Sequence, residues 1–412
     1  MSFYISKKEK SLYGSLSITG SKSISNRFLI LQALYEKKIH LENLSDCEDT
    51  NVLKKSLYSS SKVLDIKHAG TAMRFLTSFF SIKEGKITIL TGSNRMKERP
   101  ISVLVNALKN LGSNISYLEK EGFPPIKIIG NKILGGSIYV KANVSSQYIS
   151  SLMLIASKFT NGLKIFLENH ITSLPYIKMT FDILRLSGIK ALWKNRIIHI
   201  YPGEIHKKIS FHIESDWSSA SYYYSMAAIS SKSKIVLRSY KNCSLQGDKN
   251  VSHIYKKYFG INTIFHNNEI LLTKENRINY KKFIELDLNK TPDIAQTIAI
   301  TCASIGIKCL LKGLETLKIK ETDRLLALKN ELMKFGVIIN ITNSCLEITD
   351  FIQKNKKSVI KINTYEDHRM AMSFSAFALQ SMLLKIDHPN VVDKSYPKFW
   401  EDLKKLGFSI TK

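Results

Sequence analysis

At 412 residues the chain exceeds what one ordinary core organises, and with 44% hydrophobic residues it has the composition of a globular protein, so two domains are expected. No apolar run approaches the roughly 18 residues a membrane span needs, and the nearest stretch, Thr297 to Leu311, is broken by polar residues and Gly306, so no membrane partner is expected. The net charge of +27, from 61 Lys+Arg against 34 Asp+Glu, is compatible with anionic substrates, but the lysines are spread along the chain and form no stripe among aromatics, so no specific nucleic-acid partner is expected.

Cys47, Cys243, Cys302, Cys309 and Cys345 are scattered, odd in number and without CxxC spacing, which indicates neither a disulfide framework nor a metal site. The first residues carry neither a signal-peptide apolar core nor a cleavage site, and a cytoplasmic location is expected.

In chain order, short β-like runs alternate with amphipathic helical segments. Strands are expected at Leu16 to Ile18, Lys86 to Leu90, Ile126 to Ile129, Ser137 to Val140, Lys164 to Leu167, Ile197 to Ile200, Lys234 to Leu237, Glu269 to Leu272, Lys308 to Leu311, Val337 to Ile341 and Ser358 to Ile362. Helices are expected at Phe28 to Leu34, Thr71 to Phe80, Ile101 to Leu111, Tyr148 to Phe159, Lys178 to Ser187, Ala220 to Ile229, Val251 to Tyr258, Ile294 to Ile305, Asp323 to Phe335, Met370 to Leu379 and Lys398 to Leu406. The regularity predicts a repeated supersecondary unit. A domain boundary is placed at the turn-rich stretch Glu214 to Ser219.

Several helices open with clusters of one chemistry. Gly20-Ser21-Lys22-Ser23-Ile24-Ser25-Asn26-Arg27 combines small residues, capping hydroxyls and two cations ahead of an apolar segment, as an anion site requires, and it lacks the second glycine of a nucleotide P-loop. Ala69-Gly70-Thr71-Ala72-Met73-Arg74, Ser145-Ser146-Gln147, Lys320-Glu321-Thr322-Asp323-Arg324 and Glu366-Asp367-His368-Arg369 repeat the theme. One such cluster is an ordinary helix cap; five together suit phosphate, carboxylate and hydroxyl groups.

These stretches, together with Arg95-Met96-Lys97-Glu98-Arg99-Pro100, Pro292-Asp293 and Asp367-His368-Arg369-Met370-Ala371-Met372, occur in an order that closely resembles the 5-enolpyruvylshikimate-3-phosphate synthases of the enolpyruvyl transferase family. The resemblance implies an α/β fold of two similar domains, each an inside-out α/β barrel of three βαβαββ-type repeats, with the active site in the interdomain cleft. It places a first domain at residues 20–215, on the shikimate-binding side, and a second at residues 1–19 with 216–412. The segment from Asp49 to His68 is shorter than in many members, so one repeat is expected to be abbreviated.

The implied activity transfers the enolpyruvyl group of phosphoenolpyruvate to the 5-hydroxyl of shikimate 3-phosphate, by addition and elimination, with no metal or organic cofactor and as a monomer. By resemblance, Lys22, Gly70, Arg95, Gln147, Arg324, Arg369 and Lys394 serve phosphoenolpyruvate, since arginine forks suit planar anions. Lys22, Ser23, Arg27, Ser145, Ser146, Gln147, Ser173, Tyr176, Asp293 and Lys320 serve shikimate 3-phosphate. Ser173 and Tyr176 also fit a proline turn with a packing aromatic, and Arg95 fits a solvated loop charge. Asp293 is the candidate base for the hydroxyl and Glu321 the candidate acid toward the methylene, with Lys22 and His368 as partners in proton transfer or charge stabilisation.

His68 and Thr316 depart from the family's usual residues, and Gly70 implies sensitivity to glyphosate. Two rivals remain in view. The UDP-N-acetylglucosamine enolpyruvyl transferases carry a reactive cysteine in the loop that corresponds to Thr91 to Pro100, which has none here. A non-catalytic polyanion binder leaves Asp293, Glu321 and His368 unexplained.

Overall fold

The computed structural model describes residues 1–36, 38–275, 278–353 and 359–412, and the chain divides into two compact units, Gly20–Ile213 and Met1–Thr19 with Glu214–Lys412. Both are mixed α/β and built from one repeated motif.

In the first unit the helices are α1 (Lys22–Leu34), α2 (Glu48–Leu57), α3 (Gly70–Ser81), α4 (Asn94–Lys97), α5 (Ser102–Asn110), α6 (Ser146–Ile155) and α7 (Leu174–Leu186). One repeat runs Gly136–Lys141, α6, Leu163–Glu168, α7, Ala191–Lys194, Ile197–Ile200: the first two strands pair in parallel, and the closing hairpin adds antiparallel. Val63–Asp65, α3, Ile87–Thr91, α5, Asn114–Tyr117 and Ile126–Ile129 repeat the pattern. The third repeat is a parallel pair only, Ile209–His212 with Ile39–Glu42. Its hairpin would fall between the end of α2 at Leu57 and the strand that begins at Val63, within the segment expected to be short.

The second unit holds α8 (Trp217–Ile229), α9 (Asn250–Phe259), α10 (Ala295–Ile305), α11 (Arg324–Leu332), α12 (His368–Phe374) and α13 (Phe399–Lys405). Its three four-stranded sheets share the topology, and the N-terminal strand Ser2–Ser6 completes the sheet of Val359–Ile362, Leu383–Asp387 and Ser409–Thr411. Ser358, the expected start of that sheet's first strand, lies outside the described residues.

Strands such as Gly136–Lys141 alternate exposed and buried residues, so each sheet shows one face to solvent and one to helices. The first helix of each repeat is the opposite case. α1, α3 and α6 pack on one another at the centre of the first unit, and α8, α10 and α12 do so in the second. They are buried on nearly all sides, including Ser25, Asn26 and Arg27 of α1 and Trp217 and Tyr222 to Tyr224 of α8. Helices are therefore inside and sheets outside.

Two expectations need correction. The first helix begins at Lys22, six residues before Phe28, with Ser21 Oγ accepting from Ile24 N at 3.4 Å. A helix buried all round has no polar face, so its serines and asparagine hide the apolar period. The strand expected at Leu16 to Ile18 runs instead over Ser11–Leu16, paired in parallel with Lys232–Arg238. Gly20 is fixed by space: a Cβ there would lie 1.9 Å from the Asn43 carbonyl oxygen.

Candidate active site

Because each repeat sends a strand into a buried helix in the same sense, the helix N-termini of a unit gather at one end. In the first unit side chains tie them together. Lys22, first residue of α1, pairs with Asp49 of α2 at 3.1 Å. Gln147 of α6 donates from Nε2 to Thr71 Oγ1 of α3 at 3.1 Å. Ser145 caps α6, accepting from Gln147 N at 3.3 Å, and Ser146 is buried beside it.

Arg27 is more occupied than the sequence suggests. Its Nε donates to Thr180 Oγ1 at 2.6 Å, Nη1 to the Ser23 carbonyl at 2.8 Å, and Nη2 to Ser150 Oγ and the Tyr176 carbonyl, both at 3.1 Å. Burial pushes this guanidinium down to about 10, still cationic at neutral pH. Arg27 thereby clamps Tyr176, in the first turn of α7, to α1; Ser173 stands just before that helix in a left-handed conformation, φ 53°. Arg95 is partly exposed and pairs with Glu98 at 2.9 Å. His68 Nδ1 lies 3.0 Å from Ser93 Oγ.

In the second unit the cluster is denser. Arg324 opens α11, is 2% exposed, and reaches Asp367 through Nε at 2.7 Å, Asp293 through Nη1 at 3.1 Å and Glu321 through Nη2 at 2.8 Å. Arg369 binds Asp293 twice, Nη1 to its carbonyl at 2.9 Å and Nη2 to Oδ2 at 3.3 Å. Lys320 stands 3.5 Å from Asp293 Oδ1, and Lys394 3.2 Å from Glu321 Oε1. Asp367 caps α12 by accepting from Arg369 N at 2.8 Å, and His368 Nδ1 lies 3.7 Å from Asp367 Oδ1. Thr316 is buried here, its Oγ1 without a hydrogen-bond partner among the described residues.

The electrostatics follow from this packing. Burial pushes the Asp293 carboxyl up, but Arg369, Lys320 and Arg324 together outweigh it and hold it well below the usual carboxylate range. Burial also pushes the Arg324 guanidinium down, and Asp367, Glu321 and Asp293 reverse the effect and hold it above its ordinary value. Asp248 behaves oppositely: burial and then the Asp293 charge push it up to about 6, against the bond it accepts from Ser218 Oγ.

In the unfolded chain Asp248 titrates at its ordinary value near 4, so between about pH 4 and 6 the folded state binds the extra proton and stability falls as pH rises. Asp248→Asn is expected to remove that slope and to raise stability above pH 6 by roughly 2–3 kcal/mol. Urea denaturation of both proteins at pH 5 and 7.5 measures this, and an unchanged slope counts against it.

Sequence reasoning gave no role of their own to Asp49, Asp248 and Asp367 in these clusters. Asp367 had a signal, an aspartate directly before a helix; Asp49 lies in a helix left unassigned; Asp248 had none, because its burial is tertiary. Among the described residues no group of three or more His, Cys, Asp or Glu side chains is arranged to hold a metal ion, and no helix is long and apolar enough to cross a membrane.

Lys22, Arg324 and Arg369 all sit at helix starts, where the macrodipole opposes a cation, and such positions become favourable when an anion joins them. Two such clusters on a repeated α/β frame are the equipment of a protein that handles small anions among titratable carboxylates.

The comparisons with known proteins narrow that class. The family description EPSP synthase (3-phosphoshikimate 1-carboxyvinyltransferase) matches residues 6–59 and 51–403. A 3-phosphoshikimate 1-carboxyvinyltransferase of Bacteroides fragilis (strain YCH46) is 42% identical over 408 residues, 99% of this chain and 98% of that protein. One from Buchnera aphidicola subsp. Cinara cedri is 35% identical, over 95% of this chain and 94% of its own. The fold matches the EPSP synthase structure from Acinetobacter baumannii at TM-score 0.78 and 20% identity over the whole of both chains. It also matches the enolpyruvyl transferase NikO from Streptomyces tendae, at TM-score 0.77 and 13% identity over 100% of this chain and 98% of that one. The chain belongs to the EPSP synthase family.

Proposed function

We propose that the chain transfers the enolpyruvyl group of phosphoenolpyruvate to the 5-hydroxyl of shikimate 3-phosphate and releases phosphate, with the residues of the two helix-end clusters as its machinery. The observation that carries this reading is the gathering of Arg324, Arg369, Lys320 and Lys394 around Asp293 and Glu321, which supplies both anion binding and proton transfer.

In the addition step the hydroxyl oxygen bonds to C2 of phosphoenolpyruvate while its proton passes to Asp293, and C3 takes a proton from Glu321 to become a methyl group. In the elimination step C3 returns its proton to Glu321 and the double bond re-forms as the C2–O bond to phosphate breaks, and the departing phosphate carries off the proton that Asp293 had taken. Asp293 is a weak base while three cations hold it. Substrate phosphate and carboxylate groups draw Arg369 and Lys320 to themselves, and the carboxylate gains basicity as the reactants arrive. Lys394 and Arg324 orient Glu321. Asp367 holds Arg324, and His368 stabilises charge beside it.

In the first unit Lys22, placed by Asp49, Arg95 and Gln147 serve phosphoenolpyruvate, while Ser23, Ser145, Ser146, Ser173 and Tyr176 serve shikimate 3-phosphate. Arg27 contributes there by holding Ser23 and Tyr176 in place. The protein works as a cytoplasmic monomer on these two small molecules, with no nucleic-acid or membrane partner, and glyphosate competes with phosphoenolpyruvate.

A transient methyl group has a direct signature. Turnover in heavy water is expected to place deuterium on the methylene carbon of both the product and the recovered phosphoenolpyruvate, as read by mass spectrometry. Product free of deuterium contradicts the addition–elimination route.

A further inference from the structure

α11 carries two charges in places its own dipole disfavours. Arg324 stands at its first residue and Glu331 in its last turn, the reverse of what the helix field favours for a cation and an anion. Tertiary partners must therefore account for both. Arg324 has its three carboxylates, whereas Glu331 is fully buried and has partners of another kind.

Glu331 Oε1 accepts from Tyr365 Oη at 2.8 Å, and Oε2 accepts from Asn363 N at 3.1 Å and from Lys334 Nζ at 2.6 Å. Lys334 Nζ also donates to the Lys361 carbonyl at 2.9 Å. Lys361, Asn363 and Tyr365 belong to the strand Val359–Ile362 and to the turn that leads from it into α12. Seven residues along a helix make two turns, so Glu331 and Arg324 share a face about 10 Å apart. Arg324 holds Asp367, at the far end of that turn. α11 thus grips the stretch from Asn363 to Asp367 at both ends.

The backbone shows why a grip is needed. Tyr365 and Glu366, at φ 53° and 54°, are successive non-glycine residues in the left-handed region. Such a conformation is costly and persists only where its surroundings over-determine it. The residues that follow directly are Asp367, His368 and Arg369. Asp367 N donates to the Thr364 carbonyl at 2.9 Å, its side chain caps α12, and Arg369 reaches Asp293 from the first turn of that helix. A relaxed turn would start α12 elsewhere and displace all three together.

We infer that Glu331 is a positioning residue of the active site, which through Tyr365 and the Asn363 amide fixes the turn that aims Asp367, His368 and Arg369; its kinetic consequence rests on the function proposed above.

The test uses the full chain with Tyr365→Phe, which deletes one hydrogen bond, and Glu331→Gln, which keeps the length but replaces one acceptor oxygen with a donor. Leu272→Ala is the control, a core truncation on Glu269–Lys274 in another sheet of the same unit. All three are expected to melt below the wild type. Well below those temperatures, kcat/KM for phosphoenolpyruvate should fall about 10-fold in Tyr365→Phe and about 100-fold in Glu331→Gln. The KM for shikimate 3-phosphate should change little, and Leu272→Ala should keep both constants.

A second readout needs no turnover. Amide hydrogen exchange across residues 363–370, followed by mass spectrometry, should quicken in Tyr365→Phe and Glu331→Gln and stay as in the wild type in Leu272→Ala. If the wild type forms no product yet shows this pattern, the proposed function fails and the positioning of the turn stands. Melting temperatures that fall while the kinetic constants of Tyr365→Phe and Glu331→Gln stay at wild-type values would mark Glu331 as structural and overturn the inference. So would losses in Leu272→Ala equal to theirs, or exchange unchanged in all three.

Discussion

Arg324→Met is expected to cost about 3–5 kcal/mol of stability at neutral pH, the largest loss of any single change at this site. Arg324 bridges Asp367, Asp293 and Glu321, and Asp367 is fully buried. Without the guanidinium that carboxylate has lost its closest cation in a medium that penalises its charge. Denaturant midpoints of the two proteins at neutral pH measure it, and a loss below about 1 kcal/mol would contradict the bridging role.

Asp293→Asn separates chemistry from binding. As the proposed base, Asp293 should be worth roughly two to four decades in kcat. As the internal anion that Arg369, Lys320 and Arg324 share, it also competes with substrate, so its neutralisation should leave phosphoenolpyruvate bound at least as tightly as in the wild type. Steady-state kinetics with direct binding measurements distinguish the two effects. A kcat near that of the wild type removes Asp293 from the catalytic set, and weakened binding of phosphoenolpyruvate removes the competition.

Much of this was readable before the fold. Ile126–Ile129, Ile197–Ile200 and Val337–Ile341 have the expected limits because their β-branched runs are bounded by turns and half-buried in alternation. Strands such as Ile39–Glu42 and Val63–Asp65 were not legible, being short and stabilised by a neighbouring strand more than by their own pattern. α2 was missed because its polar run Glu48 to Lys55 shows little apolar period, though it delivers Asp49 to Lys22. Motif order named most residues of both clusters, though not Asp49 or Asp248. It did not show that Arg27 is spent on internal bonds or that Arg324 serves three carboxylates at once. Those are properties of distance, which residue order along a chain does not encode.

The central claim concerns which acceptor receives the enolpyruvyl group. Phosphate release from phosphoenolpyruvate by the purified chain, followed with shikimate 3-phosphate and, separately, with UDP-N-acetylglucosamine, tests it most directly. The account predicts release that depends on shikimate 3-phosphate and none above background with the nucleotide sugar. Release only with the nucleotide sugar, or with neither acceptor, would contradict it.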